Sequence, residues 1–253
     1  MENVVMTRVF GGGQSSLSSL RGIDAGIKPF GVVKNNDHGY GFTLAEVLIT
    51  LGIIGIVASM TLPALVQKYR NQVVETRLKN FYTIMNQAVT LSEQKNGEFQ
   101  YWGNSFTAYD SKSMEEWYNK YFRPYVKTLK TERGDGVLYV YWADGSKFKI
   151  FNHYAPGTDP NTNVSSIHLY FYPYANRKTS ILGKDCFTFF INYNTNKKWA
   201  PIEPYKFSWD GTREHLINGY YGCRLNNPKT HHYCTALIQY NNWKIPEDYP
   251  YKF

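Results

Sequence analysis

Glu46 is the one charged residue in an apolar stretch that covers residues 42–62. A helix of that length rises about 30 Å, which is the thickness of the hydrocarbon core of a membrane. An ionised carboxylate at mid-depth in such a segment costs about 2.5–3.5 kcal/mol and usually marks a functional partner. Glu46 is therefore expected to form an ion pair with a cation in a medium of low dielectric.

Few other residue groups could do chemistry. His231 and His232 are adjacent, so their rings point apart in a helix or a strand, and we expect no shared metal. Asp159, Asn161 and Asn163 alternate in a loop and offer oxygen ligands for Ca²⁺, but with one carboxylate the loop is better interpreted as a turn. The sequence has no nucleophile motif such as G-x-S-x-G and no phosphate-binding glycine loop. We therefore expect neither an enzyme nor a cofactor.

The run GFTLAE at residues 41–46, followed by apolar residues up to Pro63, resembles the processing signal of type IV prepilins and of type II secretion pseudopilins. In that family a membrane peptidase cuts after the glycine, and the new terminal phenylalanine is N-methylated. The resemblance implies cleavage between Gly41 and Phe42 and methylation of Phe42. It also implies that Glu46 pairs with the terminal amine of a neighbouring subunit during assembly.

The resemblance further implies partners and a location. The partners are the prepilin peptidase and methyltransferase, other pilin-like subunits in a homo- or hetero-filament, an inner-membrane assembly platform, and membrane lipid before assembly. The location is the bacterial inner membrane, crossed once, with the C-terminal domain outside the cytoplasm. A secretion pseudopilus and a pilus are equally compatible with it. An ordinary signal anchor or a secretory signal is the alternative, although Ala58-Ser59-Met60 is a poor cleavage site.

The hydrophobic pattern divides the chain into four segments. Residues 1–41 lack hydrophobic periodicity and are expected to be a cytoplasmic leader that is cleaved. This leader is long for the family, and we expect translation to begin near Val32 or Val33. Residues 42–62 form the transmembrane half of a helix, and residues 63–95 form its amphipathic half, with a kink at Pro63. Residues 96–253 form a globular α+β domain.

The sequence predicts an α+β fold in which the long N-terminal helix packs on a small antiparallel sheet of three or four strands, an order that resembles the fold of pilins and pseudopilins. A capping box at Ser113-x-x-Glu116 predicts a short helix. The Asp144-Gly145 pair predicts a hairpin turn. The predicted strands are 137–143, 147–151, 167–172 and 186–193, and a brief helix is predicted at 233–240.

Cys223 and Cys234 lie 11 residues apart in a loop-rich region. A bridge between them would contribute about 3 kcal/mol, and an extracytoplasmic location permits it. Such a bridge resembles the C-terminal disulfide loop of type IV pilins, and reduced cysteines are the alternative. Cys186 lies in an alternating apolar strand and is predicted to be a lone buried thiol.

The chain carries a net charge of +8 and 17% aromatic residues. This composition is also compatible with a second function. In it the chain is a minor or competence-type pilin that binds DNA or glycan through a basic, aromatic-rich surface. That function predicts that six cations lie together on one face: Lys147, Lys149, Arg177, Lys178, Lys197 and Lys198. A membrane-anchored enzyme is a third and weaker alternative.

Overall fold

The computed structural model describes residues 41–105, 109–153, 166–177, 179–191, 200–225 and 231–253. Its fold class is α+β, with a long N-terminal helix and an antiparallel sheet. The helices are α1 (Leu44–Asn96), α2 (Ser111–Tyr121), α3 (Arg213–Asn218) and α4 (Cys234–Tyr240), with 3₁₀ helices at Phe99–Ser105 and His231–Tyr233. The strands are β1 (Thr128–Gly134), β2 (Val137–Trp142), β3 (Lys147–His153), β4 (Ser166–Tyr172), β5 (Phe187–Ile191) and β6 (Ile202–Pro204).

Helix α1 continues through Pro63 without a break and ends at Asn96, directly after the predicted end of its amphipathic half at residue 95. It stops where Gly97 takes a left-handed conformation with φ of +76°, which is a common way to terminate a helix. From Val74 onward α1 buries one side at helical spacing, and the buried apolar residues are Val74, Leu78, Phe81, Met85, Ala88 and Val89. The predicted amphipathic pattern is therefore confirmed from Val74 onward, where the period near 3.6 marks the face that packs on the sheet, whereas none of residues 63–73 is buried.

Helix α2 begins earlier than its sequence signal indicated. Asp110 is the N-cap, and its carboxylate accepts hydrogen bonds from the backbone N–H groups of Lys112 and Ser113, each at 3.1 Å. The predicted capping box with Ser113 as N-cap is therefore wrong. Aspartate is as good an N-cap as serine, and here it precedes serine by three residues, so that Ser113 falls inside the helix.

The described strands form one antiparallel sheet in the order β1-β2-β3-β4-β5-β6. The prediction of three or four strands is wrong, because β1 and β6 were missed. The Asp144-Gly145 hairpin between β2 and β3 is confirmed, with Tyr141 paired to Lys147. The strand predicted at 186–193 is β5, which spans Phe187–Ile191 among the described residues.

The core lies between the second half of α1 and the inner face of the sheet. Phe81 is fully buried and its ring contacts four others, with centroid distances of 4.5 Å to Phe171, 4.8 Å to Phe189, 5.3 Å to Phe148 and 5.4 Å to Trp142. Aromatic pairs at these separations stabilise a core beyond the area that they bury. A single side chain of α1 thus joins β2, β3, β4 and β5.

Polar side chains of α1 bind the C-terminal third of the chain. The Glu75 carboxylate accepts from the Ile245 backbone N–H and from Lys244 Nζ, both at 2.9 Å. The ring of Tyr82 packs on Trp243 with centroids 5.1 Å apart. These contacts fix the segment that follows α4 against the helix, where sequence analysis had indicated only loops.

Candidate functional site

The first half of α1 exposes its apolar side chains. All described residues from Gly41 to Val66 are exposed, among them Leu48 at 61% and Ile54 at 62%. Among the described residues, α1 is long and apolar enough to cross a membrane. So much exposed apolar surface is unfavourable in water, and it requires lipid or another protein as its environment.

Two hydroxyl groups within this apolar stretch donate hydrogen bonds to carbonyl groups of the helix itself. The hydroxyl of Ser59 donates to Ile56 O at 2.7 Å, and that of Thr61 donates to Val57 O at 3.0 Å. Hydrocarbon offers no hydrogen-bond partners, so internal bonding of this kind suits a segment that lies in a membrane. Pro63 lies inside the continuous helix α1, and the kink at this residue stays a prediction.

Glu46 and Thr43 form a reciprocal pair at the start of α1. Glu46 Oε2 accepts from the Thr43 backbone N–H at 2.8 Å and from Thr43 Oγ1 at 2.9 Å. The Glu46 N–H donates in return to Thr43 Oγ1 at 3.2 Å. This is a capping box, which the sequence analysis missed although Thr43-x-x-Glu46 has its spacing. The box holds the Glu46 carboxylate in the first turn of the helix.

Gly41 and Phe42 precede the first helical residue, Leu44. Both are exposed, with Phe42 at 86%. A peptide bond in exposed backbone outside a helix can enter the active site of a peptidase, whereas a bond inside a helix has to be unwound first. The geometry of these two residues is compatible with cleavage between them.

The structure joins Cys223 and Cys234 in a disulfide whose Cα atoms are 4.7 Å apart. Both cysteines are buried, and the bridge connects the segment after α3 to the first residue of α4. Cys186 is free and buried, as predicted. Burial raises the pKa of its thiol to about 12, so this cysteine is an unreactive part of the core.

The two adjacent histidines have different partners. Nδ1 of His232 lies 3.1 Å from Thr188 Oγ1, and the ring of His231 bonds the hydroxyl of Tyr251. Burial lowers the pKa of His232 to about 4. In the described part of the chain no group of three or more His, Cys, Asp or Glu residues could hold a metal ion. The suggested calcium ligands Asp159, Asn161 and Asn163 lie outside the described residues.

The outer face of the sheet carries two rows in which a lysine lies between two tyrosines. The strand register places Tyr141, Lys147 and Tyr172 side by side across β2, β3 and β4. The neighbouring row is Tyr139, Lys149 and Tyr170. We call these six residues the tyrosine–lysine face.

Cation–π contacts hold the ammonium groups of this face. Lys147 Nζ lies 5.6 Å from the ring centroid of Tyr141 and 5.3 Å from that of Tyr172. Lys149 Nζ lies 4.4 Å from the Tyr170 centroid. Cations within about 6 Å of a ring centroid are attracted by the ring quadrupole. The rings therefore position both lysines without neutralising them.

The predicted basic cluster is present only in part. Lys147 and Lys149 share one face, whereas Arg177 forms an ion pair with Asp185 and packs on Tyr174 at 5.0 Å. The other three predicted cations, Lys178, Lys197 and Lys198, lie outside the described residues. The alternation of tyrosine and apolar residues in strands 137–142 and 167–172 was the sequence signal for the tyrosine rows. Their alignment with the lysines required the register.

Comparison with protein families gives one match. The model described as "Family of unknown function (DUF6613)" matches residues 64–253. The match begins directly after Pro63 and covers more than half of the chain, including the second half of α1 and the whole sheet. Comparison with curated proteins and with solved structures gives no match.

Proposed function

Taking as a premise that the chain belongs to the DUF6613 family, whose function is unknown, we propose that it is a pilin-like structural subunit. It is a subunit of a type II secretion pseudopilus or a type IV pilus, and it is not an enzyme. A prepilin peptidase cleaves it between Gly41 and Phe42, and Phe42 is then N-methylated. Before assembly the chain crosses the bacterial inner membrane once.

One observation carries this proposal: a single helix is apolar and exposed over its first half and packs on a sheet with its second half. The exposed half needs an apolar environment on every side. Lipid supplies that environment for a lone subunit, and the helices of neighbouring subunits supply it in a filament. Moving the helix from lipid to the filament costs little if both surroundings are equally apolar.

Glu46 favours the assembled state over the lone subunit in lipid. A carboxylate in an apolar environment is costly unless a cation pairs with it. Cleavage after Gly41 would create an ammonium group at Phe42, which needs an anion for the same reason. Pairing of these two charges between subunits would remove both costs at once. The capping box with Thr43 gives Glu46 hydrogen bonds in the meantime, but it supplies no opposite charge.

The disulfide supports the proposed orientation. Disulfides persist in oxidising compartments and are rare in the cytosol. The bridge between Cys223 and Cys234 therefore favours an extracytoplasmic sheet domain. The inner-membrane assembly platform and other pilin-like subunits are the proposed partners.

Replacement of Glu46 tests the assembly role. We expect Glu46→Ala to be inserted and cleaved like the parent chain but to be missing from filaments sheared off the cell surface, because the ammonium group at Phe42 loses its partner. The matched control is Thr61→Ala, which also removes a polar group from the apolar half and should assemble normally. Equal amounts of Glu46→Ala and the parent chain in the sheared fraction would overturn the proposal.

A further inference from the structure

Residues 244–253 return along α1 toward its apolar half. We propose that the end of this segment and the first turns of α1 after the apolar half form a surface that binds the headgroups of anionic phospholipids, through Lys68, Arg70 and Lys252. This inference rests on the membrane span of the proposed function. It is independent of cleavage and of filament assembly, because it concerns the folded domain and not the apolar half itself.

Two contacts with α1 fix this segment. Its start is held at Glu75, whose carboxylate accepts from the Ile245 N–H at 2.9 Å. Its end is held at Gln67, in the amide orientation that satisfies both donor and acceptor. The amide nitrogen then lies 3.0 Å from Phe253 O and the amide oxygen 2.9 Å from Phe253 N. The buried ring of Phe253 packs on Phe187 with centroids 6.2 Å apart, so residue 253 is anchored about two helical turns closer to the apolar half than Glu75.

The helix rise places this anchor at the membrane surface. Gln67 lies five residues beyond Leu62, where the apolar stretch ends, and five residues correspond to about 7.5 Å along a helix axis. The headgroup region adds about 5–7.5 Å to each side of the hydrocarbon core. When residues 42–62 span that core, Gln67 and the Phe253 backbone that it binds lie at the level of the headgroups.

Three cations surround this anchor. Successive helix positions are about 100° apart, so Lys68 lies to one side of Gln67 and Arg70 lies about 60° to the other side. Lys252 directly precedes Phe253, and all three cations are exposed. Within the described ranges of the chain none of the three forms a salt bridge.

The sequence around these cations holds few acidic side chains. Residues 47–74 of α1 contain no Asp or Glu. In the segment 244–253, Asp248 pairs with Arg213 at 2.7 Å, and Glu247 is the acidic residue for which the described part of the chain shows no ion pair. The three cations therefore leave an excess of positive charge at the membrane surface, which attracts anionic headgroups.

An exposed tyrosine accompanies these cations. Tyr69 lies between Lys68 and Arg70 in sequence and is 66% exposed. Tyrosine favours the membrane–water interface, since its ring is apolar and its hydroxyl is polar. Apart from the half-buried Gln67, every residue from Gly41 to Arg70 is exposed. The surface is thus continuous with the apolar half, and a bilayer around that half reaches it.

The test measures the lipid preference of the full chain in phosphatidylcholine vesicles. Electron paramagnetic resonance of spin-labelled phosphatidylglycerol and of spin-labelled phosphatidylcholine gives the fraction of each lipid that the protein immobilises, and hence the ratio of their association constants. We expect the parent chain to prefer the anionic lipid at least about threefold at low salt. The preference should vanish at an ionic strength of about 1 M, because the screening length there is about 3 Å.

Two triple variants assign the preference to the three cations. Lys68→Gln/Arg70→Gln/Lys252→Gln should lower the ratio of association constants to near one. Lys68→Arg/Arg70→Lys/Lys252→Arg keeps all three charges and should retain the preference, which separates loss of charge from loss of folding.

Two further variants locate the contact. Lys79→Gln/Lys95→Gln/Lys127→Gln removes the same charge at exposed lysines elsewhere and should leave the ratio unchanged. Lys252→Gln alone should lower the ratio, because the segment 244–253 itself contacts the headgroups.

Three results would overturn the proposal. One is equal association of both lipids with the parent chain. Another is an equal fall of the ratio in both glutamine triples, which would indicate general attraction to a basic protein. The third is an unchanged ratio in Lys252→Gln, which would place the contact on α1 alone.

Extraction of the vesicles with alkaline carbonate separates a failure of this inference from a failure of the proposed function. A chain that carbonate extracts does not span the membrane, and this result would overturn the span together with the headgroup surface. A chain that stays in the vesicles and associates equally with both lipids would overturn the headgroup surface alone.

Discussion

The side-chain amide of Asn86 pairs with both backbone groups of Ile202. Asn86 Nδ2 donates to Ile202 O at 2.9 Å, and Asn86 Oδ1 accepts from Ile202 N at 3.0 Å. A residue of α1 thus provides β6 with the hydrogen bonds that a neighbouring strand would give. The arrangement covers one edge of the sheet, and exposed edges invite pairing with other chains.

Replacement of Asn86 should therefore destabilise the domain. Asn86→Ala leaves a buried donor and acceptor of Ile202 without partners, and each such group costs about 1–3 kcal/mol. We expect the free energy of unfolding, measured by urea denaturation, to fall by about 2–4 kcal/mol. Thr83→Ala, at an exposed position one turn earlier on α1, is the control and should change it by less than about 0.5 kcal/mol. Equal stability of both variants would contradict the role assigned to Asn86.

The disulfide gives a second prediction. Reduction, or Cys223→Ala/Cys234→Ala, should lower the free energy of unfolding by about 3 kcal/mol, because the unfolded chain loses a small closed loop. Thermal unfolding with and without reductant measures this change in the parent chain. Cys186→Ala retains the bridge and should keep the sensitivity to reductant. A parent chain whose unfolding temperature is the same in both conditions would show that no bridge forms.

The burial of His232 predicts a dependence of stability on pH. The folded state holds this imidazole neutral down to a pKa of about 4, and the ordinary value is 6.5. Between these values the unfolded state binds a proton that the folded state does not. The contribution of the neutral His232 to the free energy of unfolding is therefore complete above pH 6.5. As the pH falls toward 4, the free energy of unfolding decreases by about 2–3 kcal/mol.

Unfolding curves at pH 7 and pH 4.5 measure this effect. In His232→Gln the side chain at this position does not titrate, so the decrease in stability between the two pH values should be smaller than in the parent chain. An identical decrease in both chains would mean that His232 titrates normally in the folded state.

Some elements could be predicted from sequence because local physics decides them. The Asp144-Gly145 turn fixes the hairpin of β2 and β3, since Gly145 takes a φ of +81° there. The helical spacing of Leu78, Phe81 and Met85 marks the buried face of α1. In these cases a few neighbouring residues determine the backbone conformation of the turn or the hydrophobic period of the helix.

Other elements depend on contacts that are distant in sequence. Strand β1 reads TLKTERG and has no apolar alternation, and it is a strand because it pairs with β2 at an edge of the sheet. Strand β6 has only three residues and receives its hydrogen bonds from β5 and Asn86. The tyrosine–lysine face likewise depends on strand register, so that composition could suggest its residue types but not their alignment.

Mass analysis tests most directly whether this chain is processed as a pilin-like subunit. The full chain is expressed with a prepilin peptidase, purified from membranes, and examined by intact-mass measurement and N-terminal sequencing. We expect a mature chain that begins at N-methylated Phe42. An uncut chain, or one cut near Ala58, would contradict it and would make the apolar segment an ordinary anchor or a secretory signal.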